Sequence, residues 1–202
     1  MKTLATPMPA IAAFVGIGVL CLMDAVIKEA AAQYPVGQVV ALRFVAGTIV
    51  TFAWVIVARA PLPTRGGFRR ALVRGTAILA TSLLFYKTLV LLPLAEAVAI
   101  TFVSPFMMLI VSRLLIGEPV TRRAVVAIAV GFCGVLVMLS GRLADGGGGD
   151  PMGYLTGLGA SVTYAVAMVL TRRDSTRDAV APLVLAQNVS VAVLAAPFGA
   201  VG

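Results

Sequence analysis

Charged side chains stand inside long apolar stretches of this sequence, where a charge is costly and therefore informative. Asp24 and Lys28 are four residues apart in the first stretch, so a helix would place them on one face and within reach of each other. Arg43 stands near the start of the second stretch. Such charges either neutralise one another and stabilise helices, or they bind a polar solute or control its path. Both interpretations stay open for Asp24 and Lys28, while Arg43 could also extend out of the apolar layer, bind an anionic group or pair with Asp24.

A second set of charges surrounds the short connection Leu92-Pro93-Leu94-Ala95, which would make the third and fourth apolar stretches an antiparallel hairpin. Lys87 precedes this connection and Glu96 follows it, so the two could form an ion pair across the turn. As the opening residue of a helix, Glu96 would also interact favourably with the positive end of the helix dipole. A role for Glu96 in binding a proton or a cation stays open beside these structural roles.

Uncharged polar side chains supply further candidates for binding a solute. They could equally form hydrogen bonds between helices, worth about 0.6 kcal/mol each. These candidates are Tyr86, Tyr164, Gln187 and Asn188. Pro105 predicts a kink in the fourth apolar stretch, because it removes one backbone hydrogen bond and the freed carbonyl must be satisfied internally or line a cavity.

The sequence offers little for catalysis or metal binding. It contains no histidine, which is the commonest general base and metal ligand. Cys21 and Cys133 are far apart and have no metal-binding spacing. The HExxH and GxSxG motifs are absent, as are paired aspartate motifs. We therefore predict no catalytic residue, no metal and no cofactor, and a protein that is not an enzyme.

The elements that must position these side chains are membrane helices. Hydrophobic residues make up 60% of the chain and charged residues only 12%, whereas soluble proteins carry about 25% charged residues. The apolar runs are long enough to cross a hydrocarbon core of about 30 Å. The predicted spans are 9–32, 38–58, 71–91, 96–116, 124–140, 152–171 and 183–201. The sequence thus predicts an all-α, polytopic membrane helix bundle in contact with the lipid bilayer.

The distribution of basic residues predicts the orientation. With a cytoplasmic N-terminus, twelve of the 16 lysines and arginines fall on the inner side, as the positive-inside rule requires. These twelve are Lys2, Arg59, Arg65, Arg69, Arg70, Arg74, Arg113, Arg122, Arg123, Arg172, Arg173 and Arg177. The net charge of +8 does not indicate nucleic-acid binding, because the arginines are not interleaved with aromatic residues. They are placed to contact anionic lipid headgroups of a cell inner or plasma membrane.

Four motifs in order carry a resemblance to a known family. The first is Asp24 to Lys28 with Tyr34-Pro35 and Arg43, and the second is Phe85-Tyr86-Lys87 leading into Leu91 to Ala97. The third is Ser104-Pro105 followed by Leu115 to Val120, and the fourth is Gly131 to Val135. Together they resemble the EamA-type carriers of the drug/metabolite transporter superfamily. Within it, the sequence is most similar to carriers of the riboflavin or S-adenosylmethionine type.

This resemblance implies ten helices in two inverted five-helix repeats that move a small-molecule solute by alternating access. It implies a first repeat at 1–144, a glycine-rich linker at 145–151, and a second repeat that starts at 152–202 and is incomplete after about seven of ten helices. A weak internal similarity agrees with this division: Gly16-Ile17-Gly18 matches Gly157-Leu158-Gly159, and 39–43 matches 183–187. Inverted repeats are typical of secondary carriers. The alternatives are a non-transporting helper or assembly subunit, which could form a homodimer, and an inactive fragment of a longer carrier.

Overall fold

The computed structural model describes residues 8–117, 119–144 and 150–199, and these residues form only helices and their connections. Lys2, Glu118, most of the predicted linker 145–151 and the last residues of the seventh predicted span lie outside the described residues. The helices are α1 (Met8–Gln33), α2 (Val36–Val57), α3 (Arg65–Leu91), α4 (Leu94–Thr101), α5 (Ser104–Ile116), α6 (Arg122–Ala144), α7 (Pro151–Ser175) and α8 (Val180–Gly199).

Each predicted span is helical over its described residues, and two of the differences in extent affect the interpretation. Helix α3 begins at Arg65, six residues earlier than predicted, so Arg65, Arg69 and Arg70 lie on a helix instead of in a loop. Thr64 explains this start, because its side-chain oxygen accepts a hydrogen bond from the backbone N–H of Gly67 at 3.0 Å. The predicted span 96–116 is divided into α4 and α5 by Phe102 and Val103, directly before Ser104 and Pro105.

Helix α3 occupies the centre of the bundle. It packs along α7 and α8, α2 packs along α8, and both α4 and α5 pack against α7. Close approach of α7 depends on glycines, since a Cβ atom added at Gly153 would lie 2.7 Å from Leu92 Cγ, and one at Gly157 would lie 2.9 Å from Ile100 Cγ2. Helix α1 contacts mainly α3, and α6 makes few contacts with other described helices.

The outside of the bundle is apolar, as a membrane protein requires. Large exposed hydrophobic side chains cover α1, α2, α5 and α6, including Phe14 and Leu114. Among the described residues, four helical units are long and apolar enough to cross a membrane: Val36–Val57, Leu94–Ile116, Pro151–Ser175 and Val180–Gly199. The prediction of an all-α membrane helix bundle is confirmed.

Candidate functional site

The first three helices bring Asp24, Arg43 and Tyr86 together on the side of the bundle that the charge distribution assigns to the outside. Asp24 lies nine residues before the end of α1, Arg43 seven residues after the start of α2, and Tyr86 five residues before the end of α3. At 1.5 Å per residue, all three are about 8 to 14 Å below those helix ends. We call these three residues the outer cluster.

Arg43 connects the members of the outer cluster. Its guanidinium carbon lies 4.9 Å from the centre of the Phe44 ring and 5.8 Å from the centre of the Tyr86 ring, within the range of cation–π interaction. It also interacts electrostatically with Asp24 and with the Tyr86 hydroxyl. Asp24 and Arg43 are both half-buried, so both charged groups remain partly accessible from outside the protein.

Tyr86 is the least satisfied member of the outer cluster. The residue is only 2% exposed, and its hydroxyl has no hydrogen bond of normal geometry, although Arg43 is near enough to act on it electrostatically. A buried hydroxyl without a partner costs about 1 to 3 kcal/mol. Such an unpaired group is uncommon in folded proteins and calls for an explanation.

Lys28 does not pair with Asp24 in this structure. Its ammonium group donates instead to two backbone carbonyls at the end of α3, those of Leu89 and, at 2.7 Å, Leu92. The last carbonyls of a helix lack partners within that helix and carry partial negative charge, so a cation stabilises them. The hypothesis of an Asp24–Lys28 pair was therefore wrong for this conformation, because a tertiary acceptor replaces the neighbour four residues away.

Glu96 and Lys87 are also not paired with each other. Glu96 is 3% exposed in the first turn of α4, and its Oε2 accepts a hydrogen bond from the hydroxyl of Tyr154 on α7 at 2.8 Å. Lys87 is exposed on α3. The structure thus buries one member of the predicted hairpin pair and leaves the other on the surface.

Gln187 belongs to a network at the opposite end of the bundle. Its Oε1 accepts from Arg74 Nε at 2.9 Å, while Arg74 Nη1 donates to Asp174 Oδ2 at 2.6 Å and Nη2 donates to the Leu183 carbonyl at 3.1 Å. Arg70 extends this network with a 2.6 Å ion pair to Asp178. We call Arg70, Arg74, Asp174, Asp178 and Gln187 the inner network.

Sequence reasoning missed the inner network. Arg74 was counted only among the basic residues of the inner side, whereas it is buried where α3 meets α7 and α8. A usable signal was present, because Asp174 and Asp178 are four residues apart among the arginines of one connection and would lie on one helical face. Their partners, however, are about a hundred residues away in sequence.

The remaining candidates lie apart from the outer cluster. Tyr164 is 39% exposed on α7, so the described structure does not direct it into the bundle. Asn188 makes two long contacts of 3.5 Å to α2, at the Gly47 carbonyl and at Thr51 Oγ1. Pro105 is near the start of α5, beside the buried and unpaired hydroxyl of Ser104.

The outer cluster combines groups whose chemistry suits contact with a polar solute. It presents one negative and one positive side chain together with a buried hydroxyl that can donate or accept a hydrogen bond. The inner network has its charges matched within the protein. The outer cluster thus combines two partly buried charges with a buried hydroxyl that has unused hydrogen-bonding capacity.

Comparisons with known proteins match this chain to a transporter family, to an exporter and to a solved structure. The EamA-like transporter family matches residues 8–140. The pseudopaline exporter CntI, from two strains of Pseudomonas aeruginosa, is 29% identical over 118 residues, which cover 58% of this chain and 41% of the exporter. A crystal structure of a protein whose name states no function superposes with a TM-score of 0.67 at 24% identity, covering 91% of this chain and 64% of the other. The chain therefore spans less than two thirds of the length of these relatives.

Proposed function

The chain belongs to the EamA-like transporter family, and from that premise we propose that the full-length protein carries a small polar metabolite across the cell inner membrane by alternating access. The N-terminus is cytoplasmic in this proposal, as the distribution of basic residues favours. The described helices belong to a first repeat at 1–144 and to the start of an inverted second repeat at 152–202.

The single observation that supports a solute site is the unsatisfied outer cluster. Its Tyr86 hydroxyl is buried without a hydrogen bond of normal geometry, although it interacts with Arg43. The charges of Asp24 and Arg43 interact, but the two residues are not among the close ion pairs of the described residues. A solute with hydrogen-bonding and charged groups would compensate all three side chains at once. The free energy of solute binding would then come from side chains that already lie buried or partly buried in the empty protein.

Glu96 is the proposed coupling residue. It is a buried carboxylate whose hydrogen-bond partner, Tyr154, lies on α7 in the predicted second repeat. Ionisable residues at membrane depth are expensive and are commonly retained for a pathway or for coupling. Movement of α7 relative to α4 would change the surroundings of this carboxylate, and with them its affinity for a proton or cation.

The relative's name suggests the direction. CntI is named as an exporter, so export is the direction we propose for this protein as well. The outer cluster would accept a solute with both charged and neutral polar groups. The earlier similarity to riboflavin and S-adenosylmethionine carriers remains a prediction about the solute.

The test compares metabolites released by cells that make the full-length protein with those of cells that lack it. Arg43→Gln and Asp24→Asn should abolish the release of the metabolite that the wild type exports, while both variants remain inserted in normal amount. Glu29→Gln is the matched control, because Glu29 is exposed on α1 and accepts a hydrogen bond from its neighbour Gln33 at 3.0 Å. Wild-type release by both cluster variants would contradict the proposed site. Identical metabolite profiles with and without the wild-type protein would favour the helper alternative.

A further inference from the structure

We infer that the inner network is a releasable latch that closes the cytoplasmic end of the solute pathway by holding α3 to α7 and α8. This inference rests on the proposed transport function. Arg74 is its central residue, since its three donor nitrogens bond to Asp174, to Gln187 and to the Leu183 carbonyl. One side chain thus connects three helices, two of which belong to the predicted second repeat.

The chemical nature of this contact suits opening better than permanent closure. A buried ion pair is no more stable than apolar side chains of similar volume, because both charges lose hydration. When the contact opens to water, however, the charges regain hydration, whereas separated apolar surfaces would be exposed unfavourably. An interface that must separate repeatedly is therefore better built from charges.

The side chains of the network become more exposed toward the cytoplasmic surface. This gradient is expected of a latch that water reaches from the cytoplasm. The side chains of Arg74 and Asp174 are 2% and 8% exposed, whereas those of Arg70 and Asp178 are 33% and 23% exposed. A cavity of about 210 Å³ adjoins the network and is lined by Arg74, Asp178, Leu183 and Ala186 among others. Water in this cavity would meet the charges as soon as α3 and α7 separate.

The other end of the α3–α7 interface differs in kind. There Thr88 and Thr156 share a 2.9 Å hydrogen bond, and Gly153 of α7 fits against Leu92 without room for a Cβ atom. Small residues packed this closely hold helices together in a membrane through van der Waals contact. The interface therefore has a tightly packed outer end, which can act as a pivot, and an ionic inner end, which can open.

Thiol accessibility tests the latch without measuring transport. The full-length protein, with Cys21, Cys133 and any other native cysteine replaced by alanine, carries one reporter, Ala186→Cys, which is buried at the cavity. In inside-out membrane vesicles, a membrane-impermeant maleimide should label this reporter about tenfold faster or more when Asp174→Asn is added. The control Glu29→Gln, the same carboxylate-to-amide change at an exposed site on α1 outside the network, should change the rate by less than about twofold. Equal labelling of Asp174→Asn and the parent would overturn the latch, provided that both label fully after denaturation.

A cross-link keeps the inference testable if Asp174→Asn fails to fold. A Cβ atom added at Gly75 lies 3.1 Å from Ser190 Cβ, close to the separation of about 3.5 to 4.5 Å in disulfides. Oxidised Gly75→Cys/Ser190→Cys protein should lose metabolite release, and reduction should restore it. Undiminished release by the oxidised protein would overturn the latch. Absence of release by wild type and reduced protein alike would count against the proposed function instead.

Discussion

The inner network and the outer cluster use the same kinds of side chain with opposite results. Each contains an arginine, an aspartate and an uncharged polar residue brought together from different helices. In the inner network every donor nitrogen of Arg74 has a partner within 3.1 Å. In the outer cluster Arg43 lies over ring faces, and the Tyr86 hydroxyl has no normal partner.

The difference teaches which charges hold the structure together. A buried charge with all its bonds made is part of the packing, and removing its partner leaves it uncompensated. A buried side chain with unused hydrogen-bonding capacity stabilises the fold little and calls for an explanation, for which we propose the solute. Charge inside an apolar stretch does not separate these cases by itself, because both regions have it.

The largest expected effect comes from making the same substitution in the two regions. Arg74→Gln should lower the free energy of unfolding by about 3 to 5 kcal/mol, because it removes the close cation of the buried Asp174 and leaves that carboxylate only the longer, 3.6 Å contact with Arg70. Arg43→Gln should lower it by only about 1 kcal/mol, the value of its cation–π contacts. Unfolding of the purified full-length variants in detergent, followed by loss of helicity, measures both. Equal losses would remove the distinction between the two regions.

Much of the fold was predictable, because apolar runs specify membrane helices through their length alone. The predicted helix boundaries were wrong where the sequence becomes polar within a helix, as between Arg65 and Arg70 at the start of α3. The N-cap at Thr64 extends the helix into this basic segment. Hydropathy does not register a cap, so the arginines there were assigned to a loop.

The composition of the candidate site was predictable from the sequence, but the pairing of its side chains was not. Asp24, Arg43 and Tyr86 stood out as polar residues in apolar stretches, and the structure places them together. The pairings proposed from short sequence separations failed, because the acceptors of Lys28 are 61 and 64 residues away and the partner of Glu96 is 58 residues away. Helix packing decides such partners, and a single sequence does not contain the packing.

A double-mutant cycle on Asp24 and Lys28 tests which charges belong to the outer cluster. We expect changes in the free energy of unfolding of intermediate size. Lys28→Gln should lower the free energy of unfolding by about 1.5 to 3 kcal/mol, because it weakens charged hydrogen bonds to the end of α3. Asp24→Asn should add its own effect independently, with a coupling energy below about 0.5 kcal/mol. The same detergent unfolding assay supplies all four values. A coupling energy well above that limit would show that Asp24 and Lys28 form an ion pair, and Lys28 would then belong to the outer cluster.

The smallest expected change in stability is the most informative about the outer cluster. Tyr86→Phe should leave the free energy of unfolding unchanged or raise it by about 1 kcal/mol, because it removes a buried hydroxyl that has no normal partner. Metabolite release should nevertheless fall, since the solute would lose a hydrogen bond within its site. Tyr154→Phe provides the matched control: its hydroxyl donates to Glu96, so its removal should lower stability by about 1.5 to 3 kcal/mol.

These two tyrosine variants separate the possible roles of the Tyr86 hydroxyl. If Tyr86→Phe lowers stability as much as Tyr154→Phe, the hydroxyl already has a partner in the protein, and the outer cluster is as satisfied as the inner network. If Tyr86→Phe is stable and releases the metabolite at the wild-type rate, the hydroxyl does not contact the solute, and the site reduces to Asp24 and Arg43. Unchanged stability together with reduced release is the combination expected of a hydroxyl that stays unpaired in the empty protein because the solute supplies its partner.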